Sequence, residues 1–87
     1  MSSLISINNP IIRIKAVKQL TGVGSSTLYY HVSKGLYPKP IKLGEKMSGW
    51  LTSEVLAIQA ARVAGQSDDE IKALVQRLSI ERTQVTV

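Results

Sequence analysis

The stretch LTGVGSSTLYYHVSKG, residues 20–35, decides the fold. It begins at the end of a segment in which apolar residues recur every three positions, a spacing that predicts a helix. These residues are Ile14, Val17 and Leu20. Gly22 and Gly24 then interrupt the pattern. The sequence therefore predicts one helix that ends in a short turn containing glycine.

A second helix is predicted directly after this turn. Ser25 and Ser26 are typical helix N-caps, and Leu28 and Val32, four residues apart, share one face. Gly35 is a typical C-terminal stop. Two helices joined by a turn of this kind are typical of a helix-turn-helix.

The following segment has the pattern of a β-hairpin. Pro38 and Pro40 exclude a helix, and residues 41–43 alternate apolar and polar as a half-buried strand does. Residues 44–49 provide a turn region, and residues 50–51 begin a return strand. The tip of the predicted hairpin carries Glu45 and Lys46. We expect Trp50 to anchor the core, because the chain contains one Trp, three Tyr and no Phe.

Two more helices complete the predicted fold. Thr52 or Ser53 is expected to cap the first, and Glu54 in its first turn suits the helix dipole. The apolar stripe of this helix is Val55, Ile58 and Ala61, before a stop at Gly65. Ser67 and Glu70 have the spacing of a capping box that opens an amphipathic helix. The apolar face of that helix is Ile71, Leu74, Val75 and Leu78.

The predicted order is helix-turn-helix, hairpin, helix, helix, which is mainly α with a small β-hairpin and typical of a winged helix-turn-helix. Residues 11–65 would form this domain, after a flexible arm at 1–10. The helix within 66–80 would pack on the domain or bind a partner protein, and 81–87 would be a flexible tail.

Charge is concentrated in one half of the chain. The 87 residues carry a net charge of +5, but residues 11–50 alone hold seven Lys or Arg against one Glu, a net +6. Residues 51–87 have a net charge of −1. A basic half joined to a near-neutral half favours a surface that binds a polyanion such as nucleic acid. The alternative is that these lysines only solvate a small domain.

The most exposed positions of the second helix and the hairpin are the candidate DNA contacts. At about 100° per residue, Tyr30 points away from Leu28, whereas Tyr29 and His31 border the buried stripe. A recognition helix enters the major groove with its N-terminal part nearest the bases, and lysines suit phosphates. The candidates are Ser25, Ser26, Thr27, Tyr30, Lys34, Lys39, Lys42 and Lys46. For Ser25 and Ser26, capping is the alternative role.

Other function classes lack their sequence signals. His31 is the only histidine and there is no cysteine, so we expect no metal site and no disulfide. The GVG at 22–24 lacks the spacing of a phosphate-binding motif, and no paired acid site is visible. We therefore expect no enzymatic activity and no cofactor. Since no signal peptide or long apolar run is present, we expect a cytoplasmic protein.

Residues 13–57, RIKAVKQLTGVGSSTLYYHVSKGLYPKPIKLGEKMSGWLTSEVLA, closely resemble the AlpA-type phage and prophage regulators. The shared elements are LTG, SSTLY, PKPIKLG, GW and SEV. The resemblance implies a MerR-like winged helix that binds DNA, as a transcriptional regulator or as an excisionase that directs recombination by an integrase. The chain departs from the pattern at Tyr30 and Lys46, where arginine is common. A missing guanidinium at position 30 weakens any transfer of base preference.

Two hypotheses follow. In the first, the protein binds double-stranded DNA of a phage or integrated element, cooperatively at repeated sites, and lies at the nucleoid when bound. In the second, it is an adaptor that modulates an integrase or a response regulator through its last helix.

Overall fold

The computed structural model describes residues 9–83. Its elements follow the order β1 (Ile11–Ile12), α1 (Ile14–Thr21), α2 (Ser25–Ser33), β2 (Ile41–Lys42), β3 (Ser48–Leu51), α3 (Thr52–Val63) and α4 (Asp68–Thr83). This is the mainly helical winged helix-turn-helix that the sequence predicts, with four helices and a small antiparallel sheet.

The helix-turn-helix forms where glycine allows the chain to turn. Gly22 has a positive φ of 71° and its amide donates to the carbonyl of Lys18 at 2.8 Å, which closes α1. Gly35 has a φ of 76° directly after Lys34, the C-cap of α2, and the amide of Leu36 then donates to the carbonyl of His31 at 2.9 Å. Both are positions at which a left-handed residue ends a helix, as predicted.

The hairpin is confirmed, and a third strand joins it. The strand order is β1-β3-β2, with Ile12 opposite Trp50 and Lys42 opposite Ser48. A Cβ atom on Gly49 would lie 2.7 Å from the carbonyl oxygen of Ile12, so this close approach of β1 requires glycine. The sequence did not predict β1, because two residues are too few to show an alternating pattern.

Trp50 anchors the core as predicted. Its side chain is fully buried, and its Nε1 donates to the carbonyl of Pro38 at 2.7 Å. The ring of Tyr37 packs edge-on against the indole, with 6.1 Å between centroids. The hydrophobic core cluster also contains Val17, Leu28, Leu36, Val55, Ile58, Ala61, Ile71 and Val75. Leu20, expected on the buried stripe of α1, is instead 44% exposed.

Helix α4 packs its apolar face against α3. Ile71 is fully buried and Val75 is 8% exposed, so both belong to the core. The predicted capping box is confirmed, since Ser67 and Glu70 exchange hydrogen bonds of 2.8 and 3.2 Å. The prediction of a tail from residue 81 is wrong, because α4 continues to Thr83. Residues 84–87 of that tail lie outside the described residues.

The predicted N-caps of α2 and α3 are also wrong. Helix α2 begins at Ser25 with Gly24 as N-cap and α3 begins at Thr52, and neither helix has a side-chain cap from its own N-cap residue. The start of α3 is instead held by the segment before β1. The Oδ1 of Asn9 accepts from the amide of Ser53 at 2.8 Å.

Pro10 provides a second contact of this kind, because its carbonyl accepts from the hydroxyl of Thr52 at 2.6 Å. The last two residues of the predicted flexible arm are therefore fixed to α3. Residues 1–8 of that arm lie outside the described residues.

Within residues 9–83, no helix is long and apolar enough to cross a membrane. The same residues contain no group of three or more His, Cys, Asp or Glu side chains that could hold a metal ion.

Candidate nucleic-acid interface

Helix α2 presents an exposed polar face on the side away from the core. Leu28 is 1% exposed and Val32 packs against the core, which fixes the inward face. The outward face carries Ser26, Thr27, Tyr30, Ser33 and Lys34, all exposed. Ser25 is half-buried at the start of the helix. The structure thus brings together the five candidates from this part of the chain, four within α2 and Lys34 as its C-cap, and all but Ser25 are exposed.

The N-terminal end of α2 has features that suit an anion. None of its first-turn residues is acidic, unlike α4, whose first turn holds Asp68, Asp69 and Glu70. Because Gly24 is the N-cap and no side chain caps the helix, the hydroxyls of Ser25 and Ser26 are not used as caps. Amides at the start of a helix favour phosphate groups. This end can therefore receive a nucleic-acid backbone or a base edge.

Tyr30 and Lys34 form a pair near the other end of α2. Tyr30 is 58% exposed, and the Nζ of Lys34 lies 5.5 Å from the centroid of its ring. A cation over an aromatic face is attracted by the ring quadrupole, so the lysine is held on the outer surface of the helix. Lysine and tyrosine placed together can contact a phosphate and a thymine methyl.

The two tyrosines differ in their contacts. The ring of Tyr29 lies 6.1 Å from the indole of Trp50, at a tilt of 52°, while the side chain stays 45% exposed. Tyr29 therefore packs with its ring and remains open to solvent, as its place beside the buried stripe predicts. His31 is half-buried on the opposite border.

The wing carries the remaining candidates. Lys42 lies on the edge strand β2 and Lys46 in the connection to β3, and both are exposed. Leu43, predicted to point inward, is 41% exposed. Exposed Lys39 lies at the base of the wing, where its carbonyl accepts a hydrogen bond from Nη1 of Arg82 at 3.0 Å. The base of the wing is therefore anchored to α4.

The candidate lysines are not neutralised by acids. Among residues 9–83, the ion pairs are Arg62 with Asp68, Arg77 with Glu81 and Arg82 with Glu54, and none involves a candidate lysine. The four lysines are Lys34, Lys39, Lys42 and Lys46. Their positive charges remain available to a polyanion.

The buried residue Tyr37 has a raised pKa. Burial raises the pKa of Tyr37 to about 12, and the negative charge of Glu54 adds to the effect. The hydroxyl of Tyr37 has no hydrogen-bond partner among residues 9–83. Tyr37 is a core residue and is not part of the exposed face of α2.

Sequence reasoning missed two cations near α2. Arg62 of α3 and Lys72 of α4 line one cleft with Tyr30, His31 and Lys34. They come from the half of the chain with a net negative charge, and Lys72 is 38 residues from Lys34. No spacing rule could have joined them, because the packing of α4 on α3 creates the cleft.

The comparison with protein families gives a match that covers the helix-turn-helix and the wing. The sequence model of the family described as "Prophage CP4-57 regulatory protein (AlpA)" matches residues 10–63, from the residue before β1 to the end of α3. The chain belongs to the AlpA family. Membership confirms the resemblance that residues 13–57 show to the AlpA-type phage and prophage regulators.

A phage protein is also similar to this AlpA-family chain. It is "Uncharacterized protein ORF88" of Enterobacteria phage P4, which is 42% identical over 55 residues. The aligned part is 63% of this chain and 62% of the phage protein, so the chain spans less than two thirds of that relative. No solved structure matches the chain.

Proposed function

We propose that this AlpA-family protein binds double-stranded DNA sequence-specifically by placing α2 in the major groove. The observation that carries the proposal is the exposed face of α2, where Ser26, Thr27, Tyr30 and Lys34 lie together and the first turn holds no acid. Membership of the AlpA family, which is described as a prophage regulatory protein, supports the same partner, double-stranded DNA.

In this proposal, some residues of α2 contact base edges and others contact the DNA backbone. Ser26 and Thr27, in the first turn, are short hydroxyl side chains that can donate to or accept from base edges. Ser25, half-buried at the helix start, is suited to a phosphate beside the helix N-terminus. Tyr30 and Lys34 lie toward the other end, and Lys34 is the phosphate contact.

The wing adds contacts outside the major groove. Lys42 and Lys46 would lie along the backbone of the adjacent minor groove, and Lys39 would bind a phosphate at the wing base. Hydrogen bonds from Trp50 to the Pro38 carbonyl and from Arg82 to the Lys39 carbonyl fix this base to β3 and α4. A fixed wing loses less conformational entropy on binding.

The biological act we propose is control of a phage or integrated element, either as a transcriptional regulator or as an excisionase. Helix α2 has nine residues and can read only a few base pairs. Specific action by one such helix requires cooperative binding to repeated sites or a partner such as an integrase. Such a protein would work in the host cytoplasm, at the nucleoid.

The alternative, an adaptor that binds its partner through the apolar face of α4, has less support. Ile71 and Val75 on that face are already buried against the rest of the domain. A partner using this face would have to displace α4 from the core.

The test combines footprinting on DNA that flanks the gene with a bending assay and a salt titration of affinity. Lys34→Ala and Lys46→Ala should each weaken binding and lower the slope of log affinity against log salt by about 0.9, the value for one phosphate contact. Arg77→Ala is the control, because Arg77 is exposed on α4 and pairs with Glu81. The proposal fails if the protein protects no site, or if neither lysine variant differs from the Arg77 variant.

A further inference from the structure

A cleft next to the recognition helix gathers cations from three helices. It has a volume of about 330 Å³ and lies where the end of α2 meets the end of α3 and the start of α4. Lys34, Arg62 and Lys72 line it, together with Tyr30, His31 and Leu36. Asp68 is its one carboxylate. The cleft therefore has an excess of positive charge on its walls.

The residues that line this cleft favour an anion over an apolar ligand. Lysine ammonium and arginine guanidinium groups are the usual donors to phosphate oxygens. Two of the cleft residues, Tyr30 and Lys34, also lie on the exposed face of α2. A phosphate that contacts Lys34 from outside would therefore lie at the mouth of the same cleft.

We infer that Arg62 and Lys72 hold a backbone phosphate of bound DNA in this cleft, beside the end of α2. The inference rests on the proposed function and extends its contact surface from the helix-turn-helix and wing to α3 and α4. The phosphate belongs to a strand that borders the groove occupied by α2. Arg62 can receive it with two parallel N–H groups, and Lys72 binds it as a point charge.

Asp68 opposes this contact in the free protein. Its Oδ1 lies 3.8 Å from Nη1 of Arg62, and the side chains are 71% and 40% exposed. An exposed pair at this distance is weak, so a phosphate can replace the carboxylate as the partner of Arg62. Asp68 then remains near the phosphate as a repulsive charge. Removing the carboxylate of Asp68 should therefore strengthen DNA binding.

The experiment measures binding to a fluorescein-labelled DNA duplex of arbitrary sequence over a range of salt concentrations, since the phosphate contribution does not depend on sequence. Lys72→Ala should lower affinity about eightfold at about 0.1 M salt and reduce the salt slope by about 0.9. Lys72→Arg should retain both values. Asp68→Asn should raise affinity roughly two- to fivefold.

Helix α4 supplies matched controls. Arg77 and Glu81 form an exposed pair, also with 3.8 Å between the charged atoms, and line no part of the cleft. Arg77→Ala and Glu81→Gln should therefore change affinity much less than the cleft variants do. The melting temperatures of all five variants should lie within a few degrees of that of the unmodified protein, because each substituted side chain is exposed. Asp68→Asn should lower it the most, since Asp68 lies in the first turn of α4.

The outcomes separate this inference from the proposed function. If Lys72→Ala behaves as Arg77→Ala, and Asp68→Asn as Glu81→Gln, the cleft holds no phosphate although DNA binding by α2 stands. If the unmodified protein shows no salt-dependent binding to the duplex, the inference and the proposed function fail together. Opposite effects of Lys72→Ala and Asp68→Asn, with unchanged controls, support the cleft contact.

Discussion

Replacement of Arg82 by alanine should strongly destabilise the protein, because Arg82 partners a buried carboxylate. The side chain of Glu54 is 3% exposed and that of Arg82 is 22% exposed. Two hydrogen bonds join them, from Nε to Oε2 at 2.9 Å and from Nη2 to Oε1 at 2.5 Å. The third guanidinium nitrogen donates to the carbonyl of Lys39 at 3.0 Å. Arg82 thus connects the start of α3, the end of α4 and the wing base.

The magnitude follows from what Arg82→Ala leaves behind. Glu54 would stay in the core without its cationic partner, and breaking a buried pair in this way costs about 3–5 kcal/mol. A domain of this size has a total unfolding free energy of about 5–15 kcal/mol. Each kcal/mol lowers the melting temperature of such a domain by about 4–8 °C. We expect a decrease of roughly 12 °C or more.

Thermal unfolding followed by circular dichroism measures this effect, with urea titration for the free energy. Glu54→Gln combined with Arg82→Ala should be more stable than Arg82→Ala alone, because a buried amide costs less than a buried unpaired carboxylate. Arg77→Ala, which breaks an exposed pair, should cost less than about 1 kcal/mol. A cost below about 1 kcal/mol for Arg82→Ala, with no recovery in the double variant, would refute the reasoning.

Two further predictions concern the sheet and the core. Gly49→Ala should destabilise the protein by roughly 1–3 kcal/mol because the new Cβ would meet the Ile12 carbonyl oxygen at 2.7 Å, whereas Gly44→Ala, whose nearest such atom is 4.0 Å away, should be close to neutral by thermal unfolding. Burial raises the pKa of Tyr37 to about 12, above the value near 10 in an unfolded chain. The stability that this proton provides is therefore present below about pH 10 and lost between about pH 10 and 12. Tyr37→Phe should remove this alkaline loss in urea unfolding, whereas Tyr30→Phe should keep it; equal profiles for the two variants would contradict the assignment.

The helix-turn-helix and wing could be predicted because their signals are local. Gly22 and Gly35 end helices through a positive φ that they alone determine, and Pro38 and Pro40 exclude a helix whatever surrounds them. The capping box from Ser67 to Glu70 is equally local. Each of these features depends on residues a few positions apart, so one sequence is sufficient to identify it.

The errors arose where the partner is distant in sequence. Ser53 at the start of α3 bonds Asn9, which is 44 residues away, and a cap from that distance leaves no pattern near the helix. The same cause made residues 81–83 look like a tail, because the partners of Arg82 are 28 and 43 residues away. For the proposed DNA interface, the inward and outward faces of α2 could be predicted from helical periodicity. The cleft with Arg62 and Lys72 required the packing of α4.

The position of Arg82 changes how a partner-binding role for α4 can be tested. The family match ends at residue 63, before α4 begins. Deleting α4 therefore suggests itself as a way to remove partner binding while DNA binding by the rest of the domain is kept. Deletion would in fact remove two core side chains, Ile71 and Val75, together with the arginine that pairs with Glu54. It would also remove the hydrogen bond that Arg82 makes at the wing base. Loss of DNA binding in a truncated chain would therefore report an unfolded domain, and only surface substitutions on α4 can distinguish a partner contact from a structural one.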